Sequence, residues 1–218
     1  APVRLGVGGA ILPGSGTDGD VIDLTCAASR APAGTAEAYA AALDALPGHL
    51  AGTGYATTGL PELRELIADR YAARGLPTSP DQIMVVNGAL AGMSLVIRTL
   101  TRPGDRVLVE SPSYPNSVAA ARRAGARLVP LPVEPTGWDL DLCTATLAAV
   151  APSLAQFVLD FHNPTGCLMD DADRHRLADG LRRAGSVAVV DETMLEVQLD
   201  ECATPLPFAA HLSRTVLV

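Results

Sequence analysis

With 218 residues, 48% of them hydrophobic and 18% charged, the chain is long enough to bury one sizeable core and reads as a single large domain. All 16 basic residues are arginine, against 24 acidic ones, for a formal net charge of -8. This argues against a nucleic-acid surface, because phosphate binding needs clustered positive charge. No apolar run approaches the roughly 20 residues of a membrane helix, and no basic-then-apolar leader opens the chain. Cys26, Cys143, Cys167 and Cys202 stand far apart without a C-x-x-C pair, as expected of reduced thiols in a soluble cytoplasmic protein.

Residues 1–34 are rich in glycine and proline around one short apolar piece, residues 21–24, and predict an irregular N-terminal arm. Residues 35–218 then form the expected domain. Its first helix spans residues 35–46. A clearer one spans 61–74, with Pro61 in the first turn, Leu63, Leu66, Ile67 and Tyr71 on one face, and Gly75 as the stop. Beyond it, short apolar runs alternate with helical stretches: strands at 83–86, 106–109, 128–131, 157–159, 187–190 and 215–218. Helices are expected at 89–100, 116–124, 140–150 and 170–184. Strands apolar on both faces and spaced by helices predict an α/β fold, with a mostly parallel sheet and helices on both faces. In such a sheet ligands bind beyond the carboxyl ends of the strands, so chemistry is sought in the residues just after each one.

Five segments occupy those places or open a helix beside them. Tyr55-x-x-x-Gly59-x-x-x-Leu63-Arg64 leads into the Pro61 helix. Asn87-Gly88-Ala89-Leu90 joins an apolar run to a helix, where glycine admits a close approach and the free amides of a helix start suit an anion; tight strand-to-helix packing explains the same pattern. Glu110-Ser111-Pro112-Ser113-Tyr114-Pro115 sets an aromatic ring between prolines, which serves equally as a loop anchor. His162-Asn163-Pro164-Thr165-Gly166 follows the fourth strand, a place where an Asn-Pro bond adopts the cis form at little cost. Asp191 ends the run 187–190, where a carboxylate is expensive without a cationic partner.

Two other patterns have plainer readings. Gly14, Gly16 and Gly19 fit G-x-G-x-x-G, but no convincing strand precedes them and no helix follows. The run Asp170, Asp171, Asp173 and His175 opens a helix, where acidic residues suit the positive end of the helix dipole better than they imply a metal.

In order and spacing the five segments resemble the class I/II aminotransferases of fold type I over residues 52–200. The phrases from Arg106 to Pro115 and from Asp160 to Gly166 are most similar to the aminotransferase-like domain of MocR-type regulators of the GntR family. That resemblance implies pyridoxal 5'-phosphate as cofactor. Its phosphate would lie on Gly88, Ala89 and Leu90, its ring against Tyr114, its phenolic oxygen near Asn163 and its pyridine nitrogen on Asp191. It also implies a homodimer in which Tyr55 reaches the partner's phosphate, and pyridoxal phosphate or a small amino compound as effector. A free-standing aminotransferase and a dimerisation scaffold that no longer uses the cofactor are the competing expectations.

Two departures stand out. Where the family places a tyrosine two or three residues after the aspartate, this sequence has Thr193 and Met194. It also contains no lysine at all, so the Schiff-base lysine implied by the resemblance, which follows the last strand, is absent, as if the domain were cut short before it. Without that amine no group is available to hold the cofactor covalently or to move the substrate proton. Single-turnover assays mixing the 218-residue chain with amino acids and pyridoxal phosphate are therefore expected to show no amine transfer. Formation of the amine form of the cofactor would contradict this.

Overall fold

The computed structural model describes residues 31–199 and 202–218; the apolar piece at 21–24, the G-x-G-x-x-G run and Cys26 lie outside them. The chain divides into two compact units, Ala1–Tyr55 and Ala56–Val218. Among the described residues the first carries one helix, α1 (Thr35–Leu50), which runs four residues past its expected end and takes Pro47 into its last turn. The missing amide of Pro47 removes one hydrogen bond, but α1 has no buried residues, so water serves the freed carbonyl.

The second unit is a layered α/β domain. Its helices are α2 (Pro61–Ala73), α3 (Ala89–Leu100), α4 (Pro115–Arg123), α5 (Leu140–Val150) and α6 (Asp171–Ala184). Its strands are β1 (Arg106–Ser111), β2 (Arg127–Pro132), β3 (Leu154–Phe157), β4 (Val187–Val190) and β5 (Thr215–Leu217). All neighbouring strands run parallel, in the order β2-β1-β3-β4-β5, which bears out the expected sheet.

Alternation along the buried strands assigns each side chain to a face. Val107, Val109, Leu154 and Val189 pack with Met93 and Ile97 of α3 and Ala121 of α4. Leu108, Ala155, Phe157, Ala188 and Val190 pack on the other side with Leu140, Cys143 and Leu147 of α5 and Leu177 and Leu181 of α6. Helices thus cover both faces, and burying each such aliphatic or aromatic side chain contributes about 1.5–3 kcal/mol. The helix ends follow local chemistry. Asp139 caps α5 by accepting from the amides of Asp141 and Leu142. Asp170 caps α6 by accepting from Asp173, and Gly185 closes it in the left-handed conformation at φ 68°. The acidic run at 170–173 therefore begins with a helix cap, as its position indicated.

Two strand expectations are corrected. Residues 83–86 are extended but enter no ladder: the Val85 amide donates to the Thr58 carbonyl at 2.9 Å, and Arg64 Nε donates to the Ile83 carbonyl at 3.0 Å. Without a neighbouring strand the apolar run lies on the turn before α2 instead. The fourth strand spans Leu154–Phe157 rather than 157–159, because the Val158 amide donates to a side chain, Glu110 Oε2, at 2.8 Å.

The run 83–86 also explains Gly59. Its φ is 103°, and a Cβ there would lie 2.3 Å from Val85 Cγ2, so a side chain meets both backbone strain and overlap. Gly59→Ala is expected to lower the free energy of unfolding by about 2 kcal/mol or more, measured by urea titration.

Candidate functional site

The carboxyl ends of three adjacent strands carry three of the expected residues. Tyr114 follows β1 as the residue before α4; Asn163 follows β3; Asp191 follows β4 directly, its amide donating to the Phe157 carbonyl at 2.9 Å. Neighbouring strands lie about 4.8 Å apart, so the sheet itself gathers these loops along one edge. The first turn of α3 arrives at the same edge, since a Cβ on Gly92 would lie 3.3 Å from Val218, just past β5.

Gly88 precedes α3 with φ 90° and open space where a side chain would be. The amides of Ala89 and Leu90 have no acceptor among the described residues, which leaves an oriented pair of donors at the positive end of a twelve-residue helix. Tyr114 is half-buried, and its hydroxyl accepts from Asn116 Nδ2 at 2.7 Å. The Asn163 carboxamide makes no hydrogen bond with any described residue. Asp191 is half-buried, accepts from the Thr193 amide at 3.0 Å and has no cationic partner among the described residues. Tyr55 ends the first unit, where it is exposed.

The Asn163 loop is built to hold its shape. Asn163-Pro164 is cis, as is Ser111-Pro112. Phe161 takes a left-handed φ of 49° and Gly166 one of 76°. Beneath the loop, Arg174 of α6 is completely buried. It donates to Asp160 Oδ1 at 2.7 Å, to the Met169 carbonyl at 2.9 Å and to the Leu206 carbonyl at 3.0 Å. This ties the end of β3, the start of α6 and a downstream strand-free segment to one guanidinium.

A second buried cluster lies between the β1 and β3 loops. Glu110 accepts from Trp138 Nε1 at 2.7 Å and from the Val158 amide at 2.8 Å, and His162 Nε2 lies 3.5 Å from its Oε2. Burial pushes the Glu110 carboxyl up from its usual range, while His162, Trp138 and the Val158 amide pull it back down.

A third cluster braces the Asp191 loop. Glu192 accepts from Tyr71 Oη at 2.9 Å and from Arg74 Nη1 at 3.1 Å, and its own amide donates to the Val218 carbonyl at 2.8 Å. Burial and the Glu192 carboxylate together hold the Tyr71 hydroxyl well above the usual phenol range. Of the two residues standing in the tyrosine's place, Thr193 is exposed. Met194 lines a cavity of about 530 Å³ with Asn163, Pro164, Leu168 and Val197.

The sequence places His162, Asp160 and Glu110 only as neighbours in a motif, and gives no sign of Glu192 or of Arg174, Trp138, Tyr71 and Arg74 as partners. The available signal was a carboxylate at the end of an apolar strand, at Glu110 and Asp160, which demands donors from elsewhere.

A parallel sheet of this order, helices on both faces and polar loops at its carboxyl edge define the large domain of a fold-type-I pyridoxal-phosphate protein. A family model described as aminotransferase class I and II matches residues 20–205, and the chain belongs to that family. It is 40% identical over 121 residues to the probable rhizopine catabolism regulatory protein MocR of Rhizobium meliloti, covering 55% of this chain and 24% of that protein. It is 30% identical over 152 residues to the 2-aminoadipate transaminase of Thermus thermophilus, covering 70% of this chain and 37% of that one. Among solved structures, the N-succinyldiaminopimelate aminotransferase of Mycobacterium tuberculosis superposes with a TM-score of 0.72 at 25% identity, over 82% of this chain and 48% of the other. The alpha-aminoadipate aminotransferase of Thermus thermophilus, solved with N-(5'-phosphopyridoxyl)-L-leucine, gives 0.70 at 26%, over 82% and 47%. The chain thus spans less than half the length of these relatives. Pyridoxal phosphate is the cofactor of the family.

Among the described residues no helix is long and apolar enough to cross a membrane. Arg174→Met, which strands the Asp160 carboxylate in the core, is expected to lower the free energy of unfolding by about 3–5 kcal/mol in urea titration.

Proposed function

We propose that this chain is the aminotransferase-like effector domain of a MocR-type transcriptional regulator and that it binds pyridoxal phosphate, or its adduct with a small amino compound, at the carboxyl edge of the sheet. The observation that carries the regulator reading is the 40% identity to the Rhizobium meliloti MocR protein. Two HTH-type transcriptional regulators, YisV of Bacillus subtilis and YdcR of Escherichia coli, support it at 28% identity each, over 152 and 153 residues. The 30% identity to a 2-aminoadipate transaminase favours the second reading, a segment of a free-standing aminotransferase.

The residues present fit the cofactor at each point where it needs a partner. Two acceptorless amides at Ala89 and Leu90 match a phosphate, with Gly88 leaving the approach open. The Asn163 carboxamide, free of other bonds, has an N–H to donate to the phenolic oxygen, and the Tyr114 ring stands on the neighbouring loop as a platform for the pyridine ring. Asp191, a half-buried carboxylate without a cation, holds the proton on the pyridine nitrogen. When bound, pyridoxal phosphate supplies an electron-withdrawing ring for chemistry at an amino-acid carbon. Within these 218 residues, which contain no lysine, these contacts alone hold the cofactor, so binding to them is reversible.

We assign the protein to a homodimer in the cytoplasm, with Tyr55 directed to the partner's phosphate. The apolar residues Tyr39, Leu43, Leu46 and Leu50, spaced along one stripe of α1 and exposed, support a subunit contact.

Equilibrium dialysis of the chain against pyridoxal phosphate is expected to show saturable, reversible binding. Asp191→Ala and Asn163→Ala should each weaken it about tenfold, the worth of one hydrogen bond to a charged group. Absence of saturable binding would overturn the cofactor reading. Sequencing the gene upstream is expected to reveal a winged-helix domain in frame; a start codon immediately before the Ala1 codon would overturn the regulator reading.

A further inference from the structure

The sheet changes direction between β1 and β3: the chain passes from β1 outward to β2, then returns across β1 to place β3 on its other side. At such a switch point the loops leaving the two strands diverge and open a crevice. Glu110 sits in the throat of that divergence. β1 and β3 pair only as far as Val109 with Gln156, while β1 continues beside β2 to Ser111. The Val158 amide, which one more rung would have engaged in the ladder, donates instead to Glu110 Oε2 at 2.8 Å. The carboxylate therefore ends the β1–β3 ladder.

A completely buried carboxylate is a costly way to end a strand, and a main-chain carbonyl would do it more cheaply. What Glu110 adds is reach. Its Oε2 also faces His162 Nε2 at 3.5 Å, an atom that has no closer partner, while Trp138 anchors Oε1 and sets its ring edge to face at 87° against the imidazole. Beyond that contact, His162 is held at its Nδ1 and at both main-chain polar atoms. Its Nδ1 lies 2.9 Å from Thr165 Oγ1, its amide donates to the Cys167 carbonyl at 2.8 Å and its carbonyl accepts from the Gly166 amide. The next residue is Asn163, whose carboxamide makes no hydrogen bond with any described residue. A residue held on several sides beside one whose carboxamide has no partner among the described residues is the arrangement expected of a side chain held ready for a ligand.

We propose that Glu110 and His162 are positioning residues for Asn163: Glu110 locks the imidazole, the imidazole locks the 162–166 loop, and the loop aims the carboxamide into the crevice. The inference rests on the cofactor reading above, in which Asn163 is the group that touches pyridoxal phosphate.

A double-mutant cycle tests it, with pyridoxal phosphate as the probe in equilibrium dialysis. Glu110→Gln keeps the shape and removes the charge. It is expected to weaken binding about fivefold to tenfold in the native background, yet less than about twofold when Asn163 is already alanine, because its effect passes through that side chain. His162→Gln is expected to behave the same way and serves as the second variant if Glu110→Gln does not fold. Multiplicative losses, or no loss from either variant, would overturn the proposal. If the native chain itself shows no saturable binding, the cofactor reading fails, and amide hydrogen exchange of the ligand-free chain decides the positioning role. Glu110→Gln is then expected to speed exchange at the His162, Gly166 and Cys167 amides by tenfold or more, about the effect of losing one hydrogen bond, and unchanged exchange there would overturn it.

Discussion

The pairing of residues 107–109 with residues 154–156 sets β1 and β3 side by side and pointing the same way, and because both strands are buried on both faces, neither can shift without exposing apolar side chains on one side or the other. From that pairing follow the direction of every loop at the carboxyl edge and the spacing between Tyr114, Asn163 and Asp191. The flanking helices depend on it too. α3 and α4 close one face, α5 and α6 the other, and each is seated by side chains whose facing is set by strand alternation. The polar residues at the edge ride on a scaffold whose stability is apolar, which separates the energetics of folding from the groups left free for a ligand.

Those groups are supported from below by buried charge. Arg174 gathers Asp160 and three main-chain carbonyls under the Asn163 loop. Glu110 gathers an indole, an amide and an imidazole between the loops of β1 and β3. Glu192 gathers a tyrosine and an arginine beside Asp191. Asp160, Glu110 and Glu192 are each a carboxylate at or just beyond the end of a strand, answered by donors from a distant part of the chain. Under the proposed reading, the carboxyl edge offers the Ala89 and Leu90 amides, Asn163 and Asp191 to a phosphorylated pyridine, and Met194 stands where the family places a tyrosine.

Legibility in the sequence tracked how local the deciding force was. The run 187–190 and the helices at 89–100 and 140–150 were readable because hydrophobic periodicity alone sets them. Residues 83–86 carry the same β-branched apolar signal yet join no ladder, since a strand requires a neighbour and no sequence pattern supplies one. β3 began three residues before its expected start because Gln156, though polar, is buried within it, and it ended early because a glutamate 48 residues away took its next amide. α1 continued through Pro47, in a helix none of whose residues is buried, so the missing bond leaves no polar group shut away from water.

By itself the sequence determined the class of fold and the order of the loops that bear Gly88, Tyr114, Asn163 and Asp191. Both are properties of residue type and short-range spacing. Only the tertiary structure decided which carboxylates are buried, which donors answer them and which polar side chains remain unpaired. Such choices are made between residues tens of positions apart, where the cost of desolvating a charge is met by a partner that no local pattern identifies.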